Sequence, residues 1–236
     1  MATLRQTFSD IASAIRAKGV SGTMKPIEMA SKIGEIQTGG GSEPTNPRAV
    51  FAYDKWSTSI VVPNTIVVDM MSIDNLNNLF YNCTSLTSIS LPEGFGRTAV
   101  NIGACFAGCQ SLSSLTLPDG FGQNAQIFVW NFAGCFYNCK KLESLHLPSG
   151  FGQNATGLQN CFSECISLKT ITGNPNFKVS LNLSSCTKLT HDSIMVVING
   201  LQTVTTAQTL TLGSTNLAKL TEADKQIATD KGWTLA

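Results

Sequence analysis

The sequence predicts an α/β solenoid: coils stacked on a shared parallel sheet, a short helical hairpin in front and an α+β cap behind. Three observations predict it. First, one pattern recurs. Phe80-x-x-Cys83-x-x-Leu86-x-x-Ile89-x-Leu91-Pro92-x-Gly94-Phe95-Gly96 returns from Phe106 to Gly122 and again from Phe136 to Gly152. A fourth copy, Phe162 to Ile171, loses the Leu-Pro and ends in Gly173-Asn174-Pro175. Self-similarity of this kind means units that cannot bury their apolar faces alone and do so by stacking. Second, Pro63, Pro92, Pro118, Pro148 and Asn174 are spaced by 29, 26, 30 and 26 residues, close to one period. Third, apolar residues alternate with hydroxyl residues over each Leu-x-Leu, the period of a strand with one buried face.

Within a unit, Ile89 and Leu91 point inward and Pro92 ends the strand, because it has no N–H to give a ladder. Gly94 and Gly96 permit the tight turn that follows, and Phe95 between them folds under the coil. Phe80 and Cys83 stand three apart, a spacing that suits a short helical turn on the inner side. Residues alternating with the inward ones face out. Ser88, Ser114, Ser144 and Thr170 form one such column, and Ser90, Thr116, His146 and Thr172 the next.

In chain order, residues 1–37 read as a helical hairpin. Ser9 caps a helix bearing Ile11, Ala12 and Ile15, which Gly19 stops; Pro26 opens a second with Ile27, Met29, Ala30, Ile33 and Ile36 on its apolar side. Two such short helices bury too little to stand alone, so the module needs a partner, another copy of the chain among the options. Residues 38–47 are a Gly- and Pro-containing linker. Residues 48–189 hold the coils. The first is worn: Phe51 to Pro63 keeps the Phe, Ile and Val-Pro positions but carries Asp54 and Ser57 where Cys and Leu recur. Terminal repeats degrade because one side meets water. Residues 65–71 read as a further strand.

The third coil carries four extra residues between Gly122 and Phe136, in a region containing Phe128, Val129, Trp130 and Phe132. Residues 178–189 give a last partial coil, with Leu183, Cys186 and Leu189 in the Phe, Cys and Leu positions. Residues 190–236 read as the cap. Thr190 or Asp192 starts a helix over 193–199, Thr209–Gly213 is a strand, and Thr221 caps a helix through Asp230 that Gly232 ends.

Composition narrows the function. Charged residues are 13% of the 236 and the net charge is +1, with no basic cluster to suit nucleic acid. No apolar run approaches the roughly 20 residues a bilayer-spanning helix needs. The first ten residues lack a signal-peptide core, which fits a chain outside ordinary export if Met1 is the native start.

The repeating Phe-x-x-Cys-x-x-Leu-x-x-Ile-x-Leu-Pro unit resembles the BspA-like leucine-rich repeat of bacterial surface antigens, clearly over residues 80–173 and weakly over 51–63 and 183–189. That family commonly places Ala before the Phe; Cys105, Cys135 and Cys161 stand there instead. The run Ile11-Ala-x-Ala-Ile-Arg16-x-Lys18-Gly19 with Pro26-x-x-Met29-x-x-x-Ile33 resembles an N-terminal segment of phage tail and virion proteins. The stretch from Leu189 through Thr209-Leu-Thr-Leu-Gly213 to Gly232-Trp-Thr-Leu235 resembles the tail of phage-encoded repeat proteins. These resemblances imply a non-enzymatic adhesion protein in a virion, held to other tail proteins through residues 1–37 and binding a host protein or glycan. The alternative they imply is an adhesin on a bacterial cell surface.

The candidate chemistry is sparse. Eight cysteines fall in two columns, Cys83, Cys109, Cys139, Cys165, Cys186 and Cys105, Cys135, Cys161. Locked to the repeat period, they read first as buried thiols. Disulfides between stacked coils are geometrically allowed, and the Cys-x-x-x-Cys spacing fits structural zinc poorly. No cofactor is implied. His146 lacks a carboxylate in its row, since Glu143 points the other way, so no Ser-His-Asp arrangement is expected. His191 beside Asp192 reads as part of a helix cap. The candidate binding residues are Phe128, Trp130 and Phe132 on the insertion, and Ser90, Thr116, His146 and Thr172 on the sheet face. An insertion in a regular repeat maps to a loop, often on the binding face. Its aromatics suit protein or sugar contact there, or fold inward and plug the wider coil.

Overall fold

The computed structural model describes residues 58–61, 75–127, 129–130, 133–158 and 160–236. The expected hairpin, linker, the Phe51–Ser57 part of the worn coil and the strand over 65–71 lie outside these residues.

Stacking of the coils is visible in three hydrogen-bonded tracks. The first is the expected strand track. β1 (Ser59–Val61) pairs in parallel with β2 (Ser88–Ser90), Ile60 opposite Ile89. β3 (Ser114–Thr116), β6 (Ser144–Leu147) and β7 (Thr170–Gly173) form a second parallel ladder in which Leu115, Leu145 and Ile171 are successive neighbours. Unlike the single sheet that the periodicity predicts, β2 and β3 belong to separate ladders. Ile89 and Leu91 are only partly buried, whereas Leu115, Leu117, Leu145 and Leu147 are closed into the core. The coil of β2 is hydrogen-bonded to the next through its turns, from Leu76 N to Asn101 O (2.7 Å) through Asn82 N to Ala107 O (2.8 Å).

The turns supply the second track. Phe80 N donates to Cys105 O (2.8 Å), Phe106 N to Cys135 O (2.9 Å) and Phe136 N to Cys161 O (3.0 Å). The segment from Phe to Cys is a run of hydrogen-bonded turns rather than a helix. Asn82, Gly108, Asn138 and Glu164, each immediately before a core cysteine, have positive φ. Gly and Asn adopt that conformation readily; Glu adopts it at a cost.

The third track lies just ahead of the turns in each coil. Asn75, Asn101 and Ile127 form successive parallel bridges, and Leu158 bridges to Leu181 of β8 (Leu181–Asn182). β8 then pairs in parallel with β9 (Gln208–Thr211), and β9 with β10 (Trp233–Leu235). The sequence marks β9 but not β8 or β10, because two or three residues carry no alternation.

Inside, Phe80, Phe106, Phe136 and Phe162 stack in one file, with neighbouring centroids 5.2, 5.9 and 5.4 Å apart. Phe95, Phe121, Phe151 and Phe177 make a second buried file. A fully buried side chain of this kind contributes roughly 1.5–3 kcal/mol. The Gly-Phe-Gly motif has a second reason beyond its turn. A Cβ on Gly96 would fall 2.4 Å from the ring of Phe121, and one on Gly152 would fall 2.9 Å from Phe177. The second glycine of each motif is the seat for the next coil's phenylalanine.

Helices take over beyond Leu189. α1 (His191–Asn199) is capped by Thr190, whose side chain accepts from Ser193 N. It starts two residues earlier than the pattern suggests. α1 lies where the next strand would fall: Thr190 N donates to Lys169 O (3.0 Å), and Ser193 Oγ accepts from Ile171 N and donates to Lys169 O, both 3.0 Å. One hydroxyl therefore closes the edge of β7, an edge that would otherwise invite another strand. α2 (Gly213–Leu217) was not expected from sequence. α3 (Glu222–Asp230) begins in a capping box, Thr221 with Asp224. Lys231 Nζ reaches Ile198 O (3.1 Å) and Asn199 O (2.7 Å), satisfying carbonyls at the end of α1.

Candidate functional site

The outward columns of the strand ladder are built by alternation. Leu115, Leu145 and Ile171 are drawn into the core, which turns their neighbours outward. Register brings Ser114, Ser144 and Thr170 side by side, and likewise Thr116, His146 and Thr172. His146 Nδ1 and Thr172 Oγ1 are hydrogen-bonded at 3.0 Å. Ser144 and His146 are half-buried, the others exposed. Thus three of the four expected column residues share a row. Ser90 does not: it sits in the other ladder beside Val61. Glu143 leaves His146 alone, as expected, and pairs with Lys169 of the next coil at 3.0 Å.

The insertion forms a tight antiparallel pair rather than an unstructured loop. β4 (Val129–Trp130) pairs with β5 (Ala133–Gly134), Trp130 opposite Ala133. Gly134 is required there, since a Cβ would meet the backbone of Cys161 at 2.3 Å. Phe128 and Phe132 lie outside the described residues. Beside the pair, Val100 and Ile127 are exposed on adjoining coils, Ile127 N donating to Val100 O at 3.1 Å.

All eight cysteines are free and buried. The sequence missed what they do: Cys109 Sγ donates to Phe80 O (3.2 Å), Cys139 Sγ to Phe106 O (3.2 Å) and Cys165 Sγ to Phe136 O (3.1 Å). Each thiol thereby satisfies a carbonyl of the preceding coil. Burial pushes the Cys165 thiol up to about 12, and raises those of Cys105, Cys135, Cys139, Cys161 and Cys186 as well. A thiol so held is a poor nucleophile and a poor metal ligand. Among the described residues, no group of three or more His, Cys, Asp or Glu is placed to hold a metal ion.

His191 is not the helix cap; Thr190 is. Its ring instead bridges two carboxylates, Nε2 to Asp224 Oδ2 at 3.1 Å and Nδ1 to Asp192 Oδ1 at 3.3 Å. The hydrogen bond its ring donates to Asp224, then that to Asp192, raises its pKa. Asp224 is held down at about 2, first by the Thr221 hydroxyl and then by His191. This cluster ties α1 to α3 and is structural in its geometry.

Comparison with known proteins agrees with the repeat geometry. Residues 72–194 and 132–226 match the family model described as the BspA type leucine rich repeat region, in six copies. Two solved structures are similar. One is a leucine rich cell surface protein from Faecalibacterium prausnitzii A2-165, 20% identical with a TM-score of 0.32, covering 50% of this chain and 32% of that one. The other is a leucine-rich repeat protein from Bacteroides ovatus ATCC 8483, 19% identical with a TM-score of 0.29, covering 71% of this chain and 46% of that one. The chain thus spans about a third of the first and under half of the second. A search of curated proteins finds no match.

Proposed function

The chain belongs to the BspA-type leucine-rich repeat family, and from that premise we propose that it is a non-enzymatic binding protein on a bacterial cell surface, presenting the outer side of its repeats to a host protein or glycan. The observation that carries this reading is the row Thr116, His146, Thr172: side chains of successive coils held in register and turned out of the core. Residues of a flat face cannot surround a substrate, but they can make many parallel contacts with a partner. The β4–β5 pair, with Trp130 and the neighbouring Phe128 and Phe132, is the second contact region in this reading. The coils close into a solenoid, with residues 190–236 as the cap of its C-terminal end.

A second reading places the protein in a phage virion, as a tail or tail-tip component. Its support is the resemblance of residues 11–33 and 189–235 to segments of virion proteins. Residues 1–37 are then a helical hairpin that anchors the chain to other tail proteins. Neighbouring tail genes favour this reading; a leader and a wall-anchoring sequence on the full gene product favour the surface adhesin.

The test is adhesion of the labelled full chain to host cells and to immobilised host glycans and matrix proteins. Thr116→Lys with Thr172→Lys should abolish it, while Thr229→Lys on exposed α3 should not. Binding that survives the double variant overturns the assignment to this face. Turnover of any substrate in a broad hydrolase screen overturns the non-enzymatic reading.

A further inference from the structure

The polar side chains of the coils divide into two sets. On the side of the turns they bind the stack together. Thr156 Oγ1 donates to Gln126 O (2.8 Å), Asn124 Nδ2 to Arg97 O (2.9 Å), and Asn154 Nδ2 and Gln153 Nε2 to Gln123 O (2.8 and 3.1 Å). Each of these bonds crosses between adjacent coils. On the strand face, among the described residues, Ser114, Thr116, Ser144 and Thr170 make no side-chain hydrogen bond of this kind; the one such bond in the grid joins His146 to Thr172. Thr156 is thus committed to the stack, as is Thr87 beside β2, whose Oγ1 donates to Thr58 O (2.7 Å), whereas Thr116 and Thr170 on the strand face are not.

We propose that this uncommitted grid binds a neutral, linear β-linked glycan that lies across the strands, about one sugar residue to each coil. The inference rests on the binding reading above and supplies its ligand class. Hydroxyls both donate and accept, as sugar hydroxyls do, and the grid has no fixed charge to favour an ionic ligand. Neighbouring strands repeat at about 4.8 Å, close to the length of one residue in an extended glycan chain. A peptide strand would bind by adding to a sheet edge, and at β7 that edge is already occupied by Ser193 and α1. The Thr172 bond engages His146 Nδ1 and leaves Nε2 as the ring nitrogen available to a ligand.

A single neutral hydrogen bond in water is worth little, so affinity must come from repetition along the polymer. The test uses the full chain and the series cellobiose, cellotetraose and cellohexaose, read by calorimetry. Affinity should rise by about tenfold or more from cellobiose to cellotetraose and then level off, because the ladder has few coils. Thr116→Ala with Thr172→Ala should weaken cellohexaose binding by about tenfold, with circular dichroism confirming an unchanged fold. Absence of cellohexaose binding, affinity independent of length, or binding unaffected by the double variant each overturns the proposal. Adhesion that needs this face yet is not competed by cellohexaose overturns the glycan and leaves the binding reading standing. Adhesion indifferent to the face overturns both.

Discussion

A Cβ on Gly122 would lie 2.8 Å from the ring of Phe151, one coil further along. The glycine, at φ +73°, is at once a turn residue and the floor on which a neighbour's aromatic rests. Gly122→Ala therefore incurs a backbone cost of about 1 kcal/mol and an overpacking cost of about 1–3 kcal/mol. Chemical denaturation should show a loss of about 2–4 kcal/mol. Adding Phe151→Leu should recover part of the overpacking loss, a coupling that a double-mutant cycle reads directly.

Glu164 is the exception in a column otherwise filled by Asn82, Gly108 and Asn138, all at positive φ. An ordinary L-residue loses about 1–2 kcal/mol in that conformation. Glu164→Gly should stabilise the fold by about 1 kcal/mol, some of the gain being offset by a freer unfolded chain. An unchanged or lowered unfolding midpoint contradicts this.

The thiols should be silent in the native state. All eight are buried, and those of the core file donate to carbonyls of the preceding coil. Titration with a thiol reagent at neutral pH should modify almost none until denaturant is added, and then all. A substoichiometric fast phase would locate a coil that opens locally.

Ser193→Ala removes the one hydroxyl that both accepts from Ile171 N and donates to Lys169 O. It leaves a buried amide unpaired, at a cost of about 1–3 kcal/mol. Hydrogen exchange at Ile171 should accelerate more than at Leu145, which stays flanked by strands on both sides.

The tie between α1 and α3 should be pH-dependent at both ends. His191 has a raised pKa in the fold, so its contribution is complete below its unfolded value of about 6.5 and is lost as pH rises through the raised one. Asp224 has a lowered pKa, so its contribution is present above the unfolded value of about 3.9 and is lost as pH falls toward about 2. The melting temperature should be highest between these limits. His191→Gln should flatten the alkaline side most and the acid side in part, because His191 also helps to hold Asp224 down.

Much of this fold was legible because its units repeat. One unit's apolar alternation is weak evidence, but Leu115, Leu145 and Ile171 at matching places in successive copies specify a register, and the structure has it. What the sequence did not disclose is of two kinds. Elements shorter than a period, such as β8 and β10, have no pattern to read. Contacts between successive units pair residues 29 to 33 apart, in the coils Cys139 with Phe106 and Gly122 with Phe151, and in the cap His191 with Asp224. The Asn, Gly, Asn, Glu column before each cysteine was a visible signal of positive φ, and reading it would have located the turn track. At the candidate site, the columns were legible from alternation. The break between β2 and β3 was not, since Ser88–Ser90 has the same alternation as the strands that do pair.

The seat formed by each glycine is offered in one direction only. Every copy receives from one neighbour and inserts into the other, so a copy carries two matching half-joints, like a sleeve coupling. Unequal recombination between the coding segments for two copies would therefore excise or duplicate a whole cassette and still leave every joint filled. Reach, measured as the number of coils between the two ends, is a trait such a gene can lengthen or shorten in single steps without redesigning any contact.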